Sequence, residues 1–256
     1  MEPTSLNPSH QKSLGKLSRA IERSQGIFSL RFVECSYASL RQQLLQALQE
    51  SCPEMEIVNL EPSSASLYGA TLAALREKTD KTPAAVSLVG LESNANLKDI
   101  LAQFNQEREK FKKNCLFPVL VWMDEDILQS MLRWAPDIYT WAIATEFQLG
   151  EPELIEFLEN SAAIAYGQIA AGAKKLRLQP WQRSEIERAR KALQGDGVDL
   201  PPELAADLEF LAGQFEAANG SFESALRHYR KSLAFWQEQS RGDSRIASTF
   251  TFVHPL

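Results

Sequence analysis

The chain has no apolar run that approaches the roughly 18 residues needed to span a bilayer. Its N-terminus, MEPTSLNPSHQKSLGKL, lacks an apolar centre of the signal-peptide kind. Neither a membrane span nor a secretory leader is expected, and a cytoplasmic location is. Cysteine is scarce. Cys35, Cys52 and Cys115 lie far apart, are odd in number and show no C-x-x-C spacing, which argues against a disulfide framework and against a zinc site. Histidine is equally scarce. His10, His228 and His254 share no local motif with cysteine or carboxylate, so no metal and no cofactor are expected. Positive charge is not in excess: 27 Lys and Arg stand against 33 Asp and Glu, a formal net charge of −6. Such a chain is poorly suited to hold phosphate backbones, and nucleic acid is not an expected partner.

What remains is ordinary globular material. Of 256 residues, 44% are hydrophobic and 23% charged, enough for a large core in one domain plus a smaller appendage. Residues 13–24 space Leu14, Leu17 and Ile21 as a helix does. GIFSLRFVEC (26–35) reads as a strand, 40–51 as a helix stopped by Pro53, EMEIVNLEP (54–62) as a second strand, and 66–78 as an amphipathic helix. PAAVSLVGLE (83–92) is a third strand, and 94–114 reads as one long helix with Leu97, Ile100, Leu101, Phe104 and Phe111 inward. FPVLVWM (117–123) is a fourth strand, 124–135 a helix started by its own acids, and WAIATEFQL (141–149) a fifth strand. Strands alternate with helices, and strands three and four are continuously apolar. That pattern predicts an α/β domain over 1–150, with a five-stranded, mainly parallel sheet between helices. From residue 151 alanine is abundant and strand runs cease. An all-α extension over 151–256 is expected, with helices at 153–176, 180–194, 203–218 and 221–239.

The turn after the first strand has the position of a phosphate-binding loop, G-x-x-x-x-G-K-[ST]. With Cys35 on the first glycine, Leu40 falls on the second, Arg41 on the lysine and Gln42 on the magnesium-binding hydroxyl. Strand, spacing and one positive charge are present. Both glycines and the hydroxyl are missing, and a leucine would crowd a phosphate cradle. The plainer interpretation makes Leu40 a core residue and Arg41 a solvated one. In the third strand, SLVGLES resembles the Walker B segment hhhhDGLDE of NACHT and related STAND-type NTPases. Val89 takes the place of the magnesium-binding aspartate, Gly90 and Leu91 match, and Glu92 stands where the next acid stands, either as a remnant base or as an exposed strand-end carboxylate. At the end of the fourth strand, Asp124, Glu125 and Asp126 lie at the sheet's carboxyl edge, where α/β ligands bind. They suit a metal cluster or, more simply, the start of the following helix.

Over residues 27–149, FVECSYASLRQQLLQAL, VSLVGLES and FPVLVWMDEDILQSMLRWAPDIYTW together resemble the bacterial, largely cyanobacterial, tetratricopeptide-repeat proteins with an N-terminal degenerate STAND/NACHT-like P-loop NTPase domain. The resemblance implies a sheet in which strand one neighbours strand four, an N-terminal module for interaction or regulation, and lost nucleotide chemistry. LAGQFEAANGSFESALRHYRKSLAFW resembles one tetratricopeptide unit near 203–239, with Gly220 at the turn, Ala225 letting the helices approach, and Phe222 and Tyr229 filling the space between them. Phe215 is expected to meet that face. The plainer alternative is a helical hairpin of a C-terminal bundle.

The expected function is a non-catalytic adaptor or scaffold that binds a protein partner. Candidate contacts are Arg227, Lys231 and Trp236, since Arg and Trp are frequent hot-spot residues. The alternative is a nucleotide-binding STAND-type signalling NTPase with an atypical phosphate loop, working through the site remnants Arg41, Gln42, Glu92 and Asp124. A third possibility is an enzyme that uses the acidic sheet edge and a metal.

Overall fold

The structure is a computed structural model that describes residues 6–76, 82–173, 180–239, 245–247, 249 and 252. It divides into two compact units, Met1–Gln148 and Leu149–Leu256.

The first unit opens with α1 (Pro8–Arg23), longer at its start than the apolar spacing shows, because Asn7 caps it by accepting the His10 N–H at 2.7 Å and Pro8 sits at the first position. There follow β1 (Ser29–Cys35), α2 (Ala38–Ser51), β2 (Met55–Asn59), α3 (Leu67–Arg76), β3 (Ala85–Val89), α4 (Leu97–Gln106), α5 (Arg108–Asn114), β4 (Pro118–Met123), α6 (Glu125–Trp134), α7 (Pro136–Tyr139) and β5 (Ala142–Phe147). The five strands form one sheet in the order β2-β3-β4-β1-β5, and every pairing is parallel. Strand one lies beside strand four, as the resemblance implies. At its centre Phe32 pairs with Val121 on one side and Ala144 on the other.

Buried β3 and β4 explain why those segments are apolar throughout. One core forms where Leu30, Phe32, Leu88 and Val121 meet Leu101, Phe104, Ile127 and Met131 from the helices, with Trp134, Tyr139 and Trp141 packed at its border. Side chains one step along each strand point to the opposite face. There Trp122 donates its Nε1–H to Ser87 Oγ at 2.7 Å and stacks on Phe147.

The single helix expected over 94–114 is two. It breaks at Glu107, a buried residue whose carboxylate accepts from Ser66 Oγ at 2.6 Å and from Lys110 Nζ at 3.1 Å. Arg108 Nη1 takes the Asn105 carbonyl at 2.8 Å, an oxygen that a continuous helix would use for its own ladder. Burial pushes the Glu107 carboxyl up, and the bonds from Ser66, Gln103 and Lys110 outweigh it and hold it below its ordinary value. The helix expected over 66–78 is described as far as Arg76, and residues 77 and 78 lie outside the described residues.

The second unit is helical: α8 (Glu151–Ala170), α9 (Pro180–Gly195), α10 (Pro202–Ala218) and α11 (Phe222–Gln239). The Glu153 carboxylate accepts the Gly150 N–H at 2.8 Å and fixes the start of α8. That helix ends six residues before the expected position 176, since Gly172 N–H turns back onto the Ile169 carbonyl; residues 174–176 lie outside the described residues. Helix α10 packs along α11 and against α8, and α8 against α9. Among the described residues no helix is long and apolar enough to cross a membrane.

Candidate functional site

The carboxyl edge of the parallel sheet is where such folds hold ligands. Here side chains along that edge engage one another. The turn between β1 and α2 consists of Ser36 and Tyr37 alone, and the helix begins at Ala38. The sequence alignment gave the turn six positions, Cys35 to Leu40. Three of those are helical, so only Ser36 and Tyr37 remain between strand and helix, too few for the loop that the motif wraps around a phosphate. Leu40 is buried, as the plainer interpretation expects.

Arg41 is not solvated. Its Nη2 donates to Glu92 Oε1, and the two side chains are only 12% and 16% exposed. Glu92 is likewise not a free strand-end carboxylate. It sits in a 3-10 turn, Leu91–Ser93, after β3, and among the described residues its second, buried oxygen has no hydrogen-bond partner. Gly90 sets this turn. Its φ is +97°, and a Cβ there would lie 3.1 Å from the Leu60 carbonyl oxygen, so any other residue would strain the backbone and crowd β2's exit. The residue at the phosphate-lysine position and the acid of the degenerate Walker B segment, 51 residues apart, therefore neutralise each other.

Asp124 caps α6: its Oδ1 accepts the Ile127 N–H at 2.9 Å. The next amide, of Glu125, donates to Ser36 Oγ at 3.3 Å and ties this edge to the β1–α2 turn. Glu125 and Asp126 fill the first turn of α6, where negative charge offsets the helix dipole. Gln42 is exposed on α2. No group of three or more His, Cys, Asp or Glu side chains suited to a metal ion occurs among the described residues. His10 bonds the Gln148 carbonyl through Nε2 at 2.7 Å, His228 Nδ1 lies 2.7 Å from Glu209 Oε2, and His254 lies outside the described residues.

Breaking the Arg41–Glu92 pair from one side leaves a largely buried charge. Arg41→Ala and Glu92→Ala are each expected to lower the stability of the α/β unit by about 2 kcal/mol, below the full buried-pair cost because both groups retain some water. The double variant is expected to lose about 1–2 kcal/mol less than the sum, read from urea unfolding of the four chains. Additivity would mean that the two charges do not meet in solution.

In the helical unit the structure separates the expected contacts. Arg227 and Lys231 are exposed on α11, and Lys231 Nζ lies 3.5 Å from Glu209 Oε1. Trp236 is a correction. It is 2% exposed, so it does not stand on the outer surface of α11 with Arg227 and Lys231; the residue type suits a hot spot, but its position on α11 points inward. Phe222 is the converse case. It stands 66% exposed at the start of α11, outside the packed turn, and does not fill the space between the helices. Ala225 and Tyr229 are buried as expected. Tyr229 meets Phe210 and Gly213: a Cβ on Gly213 would lie 2.4 Å from the Tyr229 ring. Phe215 receives the Arg183 guanidinium from α9, 5.4 Å from its ring centre. Gly213 escaped the sequence reading, although a glycine inside a helical run is itself a signal of close approach. A groove of about 350 Å³ runs beside α11, lined among others by Arg190, Leu200, Pro202, Leu208, Lys231 and Phe235.

No family model matches the chain, and no curated protein matches it. Among solved structures it is similar to the ORC2 protein of Aeropyrum pernix. Against the ADP form of that protein the TM-score is 0.39 at 13% identity, over 79% of this chain and 68% of the other. Against its ADPNP–ADP complexes the TM-score is 0.41 at 12% identity, over 98% and 87%.

Proposed function

We propose that this protein is a non-catalytic interaction adaptor or scaffold, with a degenerate P-loop-like α/β unit and a helical unit that receives a protein partner. The observation that carries the reading is the Arg41–Glu92 pair beneath a two-residue β1–α2 turn. The one cation at the phosphate position is engaged, and the loop that would cradle phosphates is spent on helix. In the helical unit, the α10–α11 hairpin has the Ala225-to-Tyr229 spacing of a tetratricopeptide unit, and its close approach at Gly213 is the packing such a unit uses. Arg227 and Lys231 remain on the outer surface of α11, Lys231 at the rim of the groove. Arginine is among the residue types enriched in interface hot spots.

The test is proximity labelling in the native cell with the full chain and with its Arg227→Glu/Lys231→Glu variant. The variant is expected to keep its melting curve and lose at least one reproducible partner. An unchanged partner set with an unchanged melt would overturn the role given to α11.

A second reading has one observation in its favour. The strand order places Arg41, Glu92 and Asp124 at the sheet edge used for ligands in this architecture. A nucleotide there would have to draw Arg41 away from Glu92.

A further inference from the structure

Inside the helical unit lies a cluster that the adaptor reading does not use. Asp207 of α10 is 4% exposed, and burial pushes its carboxyl up to about 6 against the pull of Arg245. Tyr166 of α8 and Trp236 of α11 turn their polar ends toward this carboxylate without closing hydrogen bonds of normal geometry, and among the described residues Asp207 Oδ1 has no hydrogen-bond partner. Glu159 is the further charge that acts on it. The group that enters this cage is a guanidinium. Arg245 Nη2 lies 3.3 Å from Asp207 Oδ2, and its Cζ lies 4.3 Å from the Trp236 ring centre and 5.7 Å from that of Tyr166. An acid flanked by two aromatic faces binds a planar cation from three sides.

Thr249 and Phe252 follow Arg245 at helical spacing. Thr249 Oγ1 bonds the Arg245 carbonyl one turn back at 2.8 Å. Phe252, seven residues after Arg245, stacks on Tyr229 at 5.3 Å and approaches Phe210 at 6.3 Å. Arginine and phenylalanine two turns apart thus read one face formed by α8, α10 and α11.

We propose that Asp207, Trp236 and Tyr166, with the Phe210–Tyr229 surface beside them, form an arginine-recognition site that the chain's own Arg245 and Phe252 cover, and that its ligand in trans is a helical peptide of a partner protein carrying an arginine and, seven residues on, an aromatic side chain. The inference rests on the adaptor reading and names the chemistry of its partner. The Arg245 side chain is 39% exposed and its ion pair with Asp207 is 3.3 Å long, so water and a competing guanidinium reach the cover at this end. A tethered segment acts at roughly millimolar effective concentration, so it masks the site against any ligand weaker than that.

The experiment uses a fluorescent peptide of residues 245–252, RIASTFTF, and anisotropy against full chains. The Arg245→Ala chain is expected to bind it at least tenfold more tightly than the unaltered chain. Asp207→Asn added to that chain, or citrulline in place of the peptide's arginine, is expected to cost at least tenfold. Equal binding to the unaltered and Arg245→Ala chains, or no binding to a folded Arg245→Ala chain, overturns the proposal. Should Arg245→Ala not fold, hydrogen exchange of segment 245–252 in the unaltered chain decides: faster exchange on adding excess peptide supports exchange of the cover, and no change overturns it. A dimer by light scattering that Arg245→Ala converts to monomer would make a second copy the occupant, and overturns the partner-peptide form. Loss of peptide binding with native partners still captured sinks this inference alone, while partner loss on α11 variants is read independently of it.

Discussion

Ala225→Glu is expected to destabilise the helical unit by about 3–5 kcal/mol, enough to melt the α10–α11 hairpin in a unit of ordinary stability. Ala225 is 2% exposed, one turn before Tyr229, whose ring lies against Gly213 of α10. A carboxylate at so buried a position loses most of its water. The methyl-to-carboxylate growth adds strain to the electrostatic cost. Gly213→Val probes the α10–α11 packing from α10: with a Cβ 2.4, 2.5 and 3.0 Å from three atoms of the Tyr229 ring, the ring must leave its place. Arg227→Ala, on the exposed side of the same helix, is the control and is expected to stay within about 0.5 kcal/mol. Urea unfolding followed by circular dichroism reads all three. An unchanged midpoint for Ala225→Glu would mean that this face is open to solvent and that the hairpin is not packed as a repeat unit.

Trp122→Ala is expected to cost about 3–5 kcal/mol in the α/β unit from the cavity alone. The indole is fully buried near the carboxyl end of β4, stacks on Phe147 of β5 and donates to Ser87 on β3. Its removal also leaves the Ser87 hydroxyl buried without a partner, a further cost of about 1–3 kcal/mol. The effect extends to the site, since β3 carries Glu92 at its exit. Trp122→Phe keeps most of the volume and loses the hydrogen bond, and is expected to cost about 1–2 kcal/mol. Chemical denaturation with Trp122→Ala no worse than Trp122→Phe would show that packing at this face is loose.

The sheet was legible because its inner strands have no choice. Residues 118–123 are apolar on both faces, which only a covered parallel strand requires, and the alternation with amphipathic helices does the rest. What the sequence hid depends on distant partners. The break at Glu107 follows from its bond to Ser66, 41 residues earlier, in a segment whose own apolar spacing is continuous. The early start of α2 has no local signal, since its N-cap Tyr37 makes no side-chain capping bond. The Arg41–Glu92 pair joins two residues that were each singled out, for reasons that did not include the other. In the helical unit the error ran the other way. Trp236 and Phe222 were placed by residue type, and a period of 3.6 does not say which of two apolar flanks of α11 is inward. Gly213 and Asp207 carry the packing and the buried charge of α10, and neither belongs to the apolar pattern that marked the helix.

The central claim is that the sheet edge is closed to nucleotide because Arg41 is held by Glu92 below a turn too short to cradle phosphate. Isothermal titration of the full chain with ATP and with GTP, each with magnesium, tests it most directly. The account predicts no specific binding at micromolar nucleotide for the unaltered chain and none for Arg41→Ala. Magnesium-dependent binding by the unaltered chain that Arg41→Ala abolishes would contradict it, and would make the second reading, a signalling NTPase with an atypical loop, the function of this edge.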